Sequence, residues 1–347
     1  MNWGVLAALF VATAALGAAF TFLFRRYAVT RSVMDIPNSR SSHATPVPRG
    51  GGMSIVVLVT VVSLLVGLYW QDRFFLSAGV AGAMVALVGW FDDHKPVRAS
   101  IRLLIHISAV AAILWQAPDL RFVVMGVEVA SWIAKMASLL IGVWLINLYN
   151  FIDGIDGMAG AHAFLVGLWA AALFWLAYIE PGLAMAVTIA GASLGFLFFN
   201  WSPARVFMGD GGSGFLGFWF FVLLLYARSV DVTVLLLMPI SVLVVDATAT
   251  LLWRMARGER WYTAHREHVY QKLVRFGFSH RSVTLAYVAI SVAATVIAYG
   301  LAGTSVGTFQ SIAVVALFLV VGWAGVQWLT TSRLRDKEND GLQTVDE

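Results

Sequence analysis

Cysteine is absent from the 347 residues, which excludes a disulfide framework, a thiolate metal site and a cysteine nucleophile. Charge is scarce too. Only 12% of the residues are Asp, Glu, Lys or Arg, against about a quarter in a soluble domain. Apolar residues reach 60% and the mean hydropathy is +0.82, so water is not the main solvent of this chain. No basic residue precedes the first apolar stretch, and Arg25-Arg26 follow it. That order argues against a cleavable signal peptide and reads as a retained span with its N-terminus outside. The sequence shows no internal repeat, no low-complexity linker and no separate soluble domain. Nucleic acid is not an expected partner.

What is present is a series of eleven apolar stretches, at about 3–24, 52–70, 74–91, 101–117, 131–149, 161–179, 182–199, 213–229, 232–253, 282–302 and 308–330. A membrane helix needs about 20 such residues. The expected fold is therefore an all-α polytopic bundle of about 11 transmembrane helices. Residues 1–332 form a single integral domain, and 333–347 a charged, unstructured cytoplasmic tail. Residues 118–130 alternate enough for a small hairpin. With the N-terminus in the periplasm, 19 of the 23 Lys and Arg fall on inward connections and four on outward ones: Arg73, Arg121, Lys135 and Arg228. The opposite orientation would invert that ratio, so the positive-inside rule puts the inward connections in the cytoplasm.

Acidic residues follow the same asymmetry. Asp92, Asp93, Asp153, Asp156 and Asp210 all fall at inner ends of spans, on three connections. One boundary carboxylate is commonly a solvated helix end; five are harder to dismiss. A cluster of hard oxygen ligands is what Mg²⁺ needs, usually with substrate phosphates completing its shell. In GWFDDHKP (89–96), two adjacent carboxylates can divide labour, and their repulsion perturbs one pKa, although a lone Asp-Asp pair is a weak signal. In NLYNFIDGIDGMAG (147–160), Asn147, Asn150 and Asp153 recur every three residues, so a helical continuation groups them. Asp156 extends the row, and the glycines permit close approach of a ligand. The plain alternative is a polar turn with caps. In FNWSPARVFMGDGGSGFLGF (199–218), Asp210 precedes an apolar helix whose free N–H groups suit phosphate, or is simply its N-cap.

The last inward loop (256–282) is basic and aromatic, with His265, Arg266, His268, Lys272, Arg275 and Arg281 suited to phosphates. Attraction to anionic headgroups explains the Lys and Arg but not the two His. The first inward loop, PNSRSSHATPVPRGGGMS (37–54), suits a mobile flap over a phosphorylated ligand, though a plain connector looks similar. Asp246 lies inside the ninth span, where a charge is costly. It reads as a buried partner of an Arg or a hydroxyl rather than as a catalyst.

Together, PNSRSSHATPVPRGGG, FDDHKP, NLYNFIDGIDGMAG, PARVFMGDGGS and AHREHVYQKLVRFGF resemble the polyprenyl-phosphate N-acetylhexosamine-1-phosphate transferases. That family includes the peptidoglycan translocase and the enzymes that initiate O-antigen and enterobacterial common antigen. The match runs from about residue 35 to 282, in order. The resemblance implies a helical bundle in the bacterial inner membrane with a cytoplasmic cleft and a Mg²⁺ cofactor, for which Mn²⁺ substitutes. It implies undecaprenyl phosphate and a UDP-N-acetylhexosamine as partners, with membrane lipids around the bundle and a homodimer as a compatible assembly. Asp92 and Asp93 match the catalytic pair, and Asp153 and Asp156 the nucleotide-side acidic motif. Asp210 matches the metal ligand, with Asp156 as its companion. Asn147, Asn150, Asp153, His268, Arg266 and Arg205 are assigned to the nucleotide sugar, and Arg49, His43 and Lys95 to the lipid phosphate and flap.

There is one departure. Common-antigen-type members carry His-x-His-His where this chain reads His268-Val269-Tyr270-Gln271, and the three consecutive His of peptidoglycan translocases are absent. That argues against a muramoyl-pentapeptide donor and for N-acetylglucosamine or a 6-deoxy sugar such as N-acetylfucosamine, in an O-antigen-initiating enzyme. In the implied reaction the acceptor phosphate attacks the β-phosphorus and UMP leaves, with Asp92 taking a proton; an acyl-phosphate on an Asp is the competing scheme. A transporter or lipid flippase is the rival from another class. It is expected to keep its acids at the midplane and to show repeats, whereas here they lie at one face. A CDP-alcohol phosphotransferase is disfavoured because DGIDGMAG does not continue in that family's pattern.

Overall fold

The computed structural model describes residues 1–37, 45–117, 122–124, 127–227, 230–259, 265–304 and 307–343. Helix α1 (Trp3–Thr30) leads to a two-stranded pairing, β1 (Met34–Asp35) with β2 (Val47–Pro48), in which Met34 faces Pro48. Then come α2 (Met53–Tyr69), α3 (Arg73–His94) and α4 (Ala99–Gln116). A small antiparallel hairpin follows, β3 (Phe122–Val124) with β4 (Val127–Val129), where the alternation of the sequence placed one. The chain continues through α5 (Ser131–Ile152), α6 (Met158–Leu176), α7 (Glu180–Asn200) and α8 (Asp210–Tyr226).

The ninth apolar stretch is broken. It comprises α9 (Val230–Leu236), a 3-10 turn at Met238–Ile240 and α10 (Ser241–Ala256). Pro239 sits in that turn, and its missing N–H and its ring prevent the α-helix from continuing unbroken. A short helix α11 (Val269–Phe276) precedes α12 (His280–Ala302) and α13 (Thr308–Gln343). The backbone of α13 stays helical to Gln343, past residue 332, where an unstructured tail was expected.

Each of the eleven apolar stretches is therefore helical, as lipid demands: without water to bond to, the backbone must satisfy itself within the segment. Among the described residues, nine helical segments are long and apolar enough to cross a membrane, and α2 and α8 are apolar but only 17 residues each. This is a multi-pass membrane protein. Helix α8 forms the centre, packed against α3 and α5, with Phe215, Phe218 and Trp219 fully buried. Helix α7 packs between α1 and α6. At one end of the bundle the Tyr226 hydroxyl donates to Asp72 Oδ2 at 2.8 Å, pinning the end of α8 to the start of α3. The connections after α1, α3, α5, α7 and α10 all gather at the other end.

Candidate active site

The site is built where the end of α3 meets the start of α8. Gly89 makes the approach possible, because a Cβ there would lie 2.5 Å from the carbonyl carbon and oxygen of Asp210. Asp93 then caps α8 from another helix. Its Oδ1 accepts the Asp210 N–H at 3.0 Å and its Oδ2 the Gly211 N–H at 3.4 Å. Asp210 is thus the first residue of α8 and not its cap, and the first free amides of that helix are already taken.

Two arginines knit the carboxylates together. Arg49 Nε lies 2.8 Å from Asp93 Oδ1, and its Nη2 donates to Asp210 Oδ1. Arg102 Nη1 donates to Asp92 Oδ2 and lies 3.1 Å from Asp210 Oδ2. Asp92 also accepts the Val97 N–H at 2.6 Å. The Asn150 side chain approaches Asp210 from the end of α5. The two adjacent aspartates are not equivalent: the Asp93 side chain is 0% exposed, whereas 14% of Asp92 remains open.

Asp153 caps α5 beside this cluster. Burial pushes its carboxyl well above the usual range; Asp210 and Asp93 add to the shift and Arg49 opposes it. For Arg49, burial alone would lower the pKa, but Asp93 and Asp210 outweigh it and raise the value. Arg49 is also tied down by its backbone, with its N–H on the Val33 carbonyl at 3.1 Å. Around it Phe207 N–H donates to the Pro48 carbonyl at 2.8 Å, and Gly51 and Gly52 N–H to the Phe207 and Met208 carbonyls at 2.9 Å. The described part of the first loop is therefore a strap hydrogen-bonded to the segment before α8. The expectation of a free flap around Arg49 is corrected.

Other expected site residues are placed elsewhere. Asp156, expected beside Asp210 at a metal, is seated apart. Its carboxylate pairs with His280 Nδ1 at 3.1 Å and accepts the Ala204 N–H at 3.1 Å. Burial would raise its pKa, but the hydrogen bonds from His280, Ala204 and Ser202 outweigh that and hold it low. Asn147 bonds back along its own helix to the Val143 carbonyl at 2.7 Å. Arg205 is exposed, donates to the Phe198 carbonyl at 2.7 Å and lies over the Phe199 ring at 5.0 Å, outside the carboxylate cluster. Lys95 is exposed just beyond α3. His43 lies outside the described residues.

In the last loop, His268 is buried at the cap position of α11, its ring 4.8 Å from His265 and stacked on Tyr270 at 5.8 Å. Burial is the main cause that pulls His265 down to about 4 and lowers His268, so both rings are neutral at pH 7. Arg266 is partly buried beside them, with Arg275 in its field. Glu267 holds the loop by ion pairs to Arg254 of α10 and to Arg257, the residue just past it. Sequence reading missed Arg102, counted only as an inward charge, and left open whether Asp246 pairs with an Arg or a hydroxyl. Arg102 was findable in principle, one helical turn into α4 and ten positions after Asp92.

The donor chemistry suits a hard divalent cation. Asp92 and Asp210 share one guanidinium, and their oxygens are the least enclosed of the cluster. Among the described residues no three His, Cys, Asp or Glu form a ready-made cage. Mg²⁺ does not need one, since one or two carboxylates, waters and substrate phosphates usually hold it. The residues fit.

Residues 75–228, from α3 to the connection after α8, match the model of glycosyl transferase family 4, which sets the class. Over 280 residues the chain is 30% identical to the protein of Bacillus subtilis strain 168 named "Probable undecaprenyl-phosphate N-acetylglucosaminyl 1-phosphate transferase", covering 77% of each chain. It is 29% identical over 323 residues to the decaprenyl-phosphate N-acetylglucosaminephosphotransferase of Mycolicibacterium smegmatis, covering 81% of this chain and 77% of that one. To the undecaprenyl-phosphate alpha-N-acetylglucosaminyl 1-phosphate transferase of Yersinia pestis it is 28% identical over 317 residues, covering 87% and 85%. The chain belongs to the polyprenyl-phosphate N-acetylhexosamine-1-phosphate transferase family.

Proposed function

We propose that this protein transfers an N-acetylhexosamine-1-phosphate from a UDP-sugar to undecaprenyl phosphate at the cytoplasmic face of a bacterial inner membrane. N-acetylglucosamine is the first candidate sugar, because the names of the relatives above carry it, and a 6-deoxy N-acetylhexosamine the second. Initiation of O-antigen or another envelope polysaccharide is the matching role. The observation that carries the reading is the convergence of Asp92, Asp93 and Asp210 with Arg49 and Arg102 at one end of a membrane bundle.

Phosphoryl transfer between two anions asks mainly for positioning and charge stabilisation. An oxygen of the acceptor phosphate forms a bond to the β-phosphorus, the bond from that phosphorus to the bridging oxygen breaks, and UMP leaves with the electron pair. Arg102 and Arg49 offer guanidinium forks that match phosphate oxygens in pairs. Asp92, the more open of the adjacent acids, takes any proton that the acceptor phosphate brings. Asp93 is enclosed by Arg49 and two amides of α8, which disfavours it as a nucleophile and supports direct attack. Mg²⁺, held by Asp210 and Asp92, would neutralise developing charge on the phosphates. Neutral His265 and His268 meet the donor from the last loop.

The test is purified protein with undecaprenyl phosphate and a panel of UDP-sugars, followed by UMP release and the lipid product. Release of UMP with one UDP-N-acetylhexosamine, dependent on the lipid, is expected. Absence of UMP with every member of the panel, or movement of lipid across vesicles without UMP, would overturn it.

A further inference from the structure

Helix α11 has eight residues, and no side chain of its own caps it. A helix that short is not stable by itself, so docking determines where it lies. The cap comes from Asp246 in α10, which is 2% exposed. Its Oδ1 accepts the Val269 N–H at 2.8 Å and the Thr250 hydroxyl at 3.3 Å; its Oδ2 accepts the Tyr270 N–H at 3.3 Å and the Tyr287 hydroxyl of α12 at 2.8 Å. A buried carboxylate at the positive end of a helix, with four donors, is a strong anchor.

Tyr270 carries that anchor across to the acidic loop. Its hydroxyl donates to the Phe151 carbonyl at 2.8 Å, and a Cβ on Gly154 would lie 2.2 Å from the same oxygen. Phe151 and Gly154 flank Asp153. On its other side, Tyr270 stacks on the His268 ring at an interplanar angle of 13°. The Nδ1 of that ring is buried and has no partner among the described residues, so it has a hydrogen bond still to make.

We propose that Asp246 is a positioning residue for the donor side of the site. Its carboxylate fixes the start of α11, and Tyr270 transmits that position to Phe151–Gly154, so that His268 and Asp153 keep a fixed spacing for a nucleoside-diphosphate sugar. Asp246 itself touches no substrate. The proposal rests on the donor-side reading of His268 and Asp153 given above.

Two measurements on the full chain in detergent or nanodiscs separate this coupling from that reading. The first is hydrogen exchange of peptides covering 265–276 and 150–157, with no substrate present. Asp246→Asn should speed exchange in both segments, and Tyr270→Phe chiefly in 150–157. Loosening confined to 265–276 in Asp246→Asn would overturn the coupling. The second is kinetic. Asp246→Asn should raise the KM for the UDP-sugar about tenfold, the effect of losing one charge-assisted hydrogen bond, and leave the KM for the lipid phosphate near wild type. A lower Tm with both KM values unchanged would mean a merely structural role and would overturn the proposal. If Asp246→Asn does not fold, Tyr287→Phe removes only one of the four donors and should shift both readouts in the same direction. A wild-type protein inert towards every UDP-sugar would sink the functional reading, while the exchange experiment would still decide the coupling.

Discussion

Arg49 closes on Asp93 with Nε 2.8 Å from Oδ1, on the same oxygen that accepts the first amide of α8. One carboxylate thereby holds both the strap and the central helix. Removing one partner of such a pair leaves an uncompensated charge, which costs about 3–5 kcal/mol when fully buried. Arg49 keeps 32% of its side chain exposed, so the lower end applies. Arg49→Gln should lower the Tm and reduce kcat/KM at least tenfold, and Arg49→Lys should recover stability better than activity. Thermal unfolding and UMP release check this; an unchanged Tm in Arg49→Gln would contradict it.

The adjacent acids should part company on mutation. Asp93→Asn loses a cap worth about 1 kcal/mol together with the partner of Arg49, so stability and turnover fall together. Asp92 is more open and is held at the rim of the carboxylate cluster by Arg102 and the Val97 amide, with the Asp210 carboxyl beside it. Asp92→Asn should therefore abolish UMP release while the Tm stays close to wild type. Equal loss of stability in the two variants would refute the division.

Asp156 belongs to the frame. Its pKa is below its ordinary value in the folded protein, so the unfolded chain binds the proton more tightly. The stabilisation is therefore fully present above the ordinary carboxylate range, about pH 4, and fades as the pH falls through the folded value. Asp156→Asn should lower the Tm at pH 7 and flatten the acid limb of a Tm-against-pH profile. A parallel, unshifted acid limb would remove Asp156 from this role.

Activity should vanish with a chelator and return with Mg²⁺ or Mn²⁺, since the available oxygens are hard donors. Asp210→Asn should abolish turnover while the protein still inserts. Full UMP release in chelator would rule out the metal.

Orientation is tested by labelling. Ala99 and Tyr178 are exposed at opposite ends of the bundle, the first at the start of α4 and the second on the connection after α6. The charge asymmetry predicts that Ala99 faces the cytoplasm. Cysteine at Ala99 should resist an impermeant thiol reagent in intact cells, and cysteine at Tyr178 should react; the reverse pattern inverts the topology.

Helices were legible because a span must be apolar for about 20 residues, a local property of the chain. The carboxylates were legible as a set because charge inside a span is costly and therefore sparse, so five Asp gathered at the inner ends of spans stand out. Their partners were not. Arg49 and Asp210 lie 161 positions apart, and nothing in either stretch announces the other. The row Asn147, Asn150, Asp153, Asp156 looked continuous, but α5 stops at Ile152 and turns Asp156 towards His280. Asp246 was read as a buried partner of an Arg or a hydroxyl. Its two hydroxyl partners fit that, while the two amides of α11 depend on how α10 and α11 meet.

The 17 residues of α8 span about 25 Å at 1.5 Å per residue. A bilayer's hydrocarbon core is about 30 Å thick. With its far end pinned at Tyr226, the helix brings Asp210 up short of the headgroup plane, or draws that plane inward by local thinning. Where that plane is drawn inward, the phosphate of the proposed lipid acceptor meets the carboxylates by moving sideways at its own depth, with its chain still solvated by its neighbours, and the water-soluble donor is the reactant that descends.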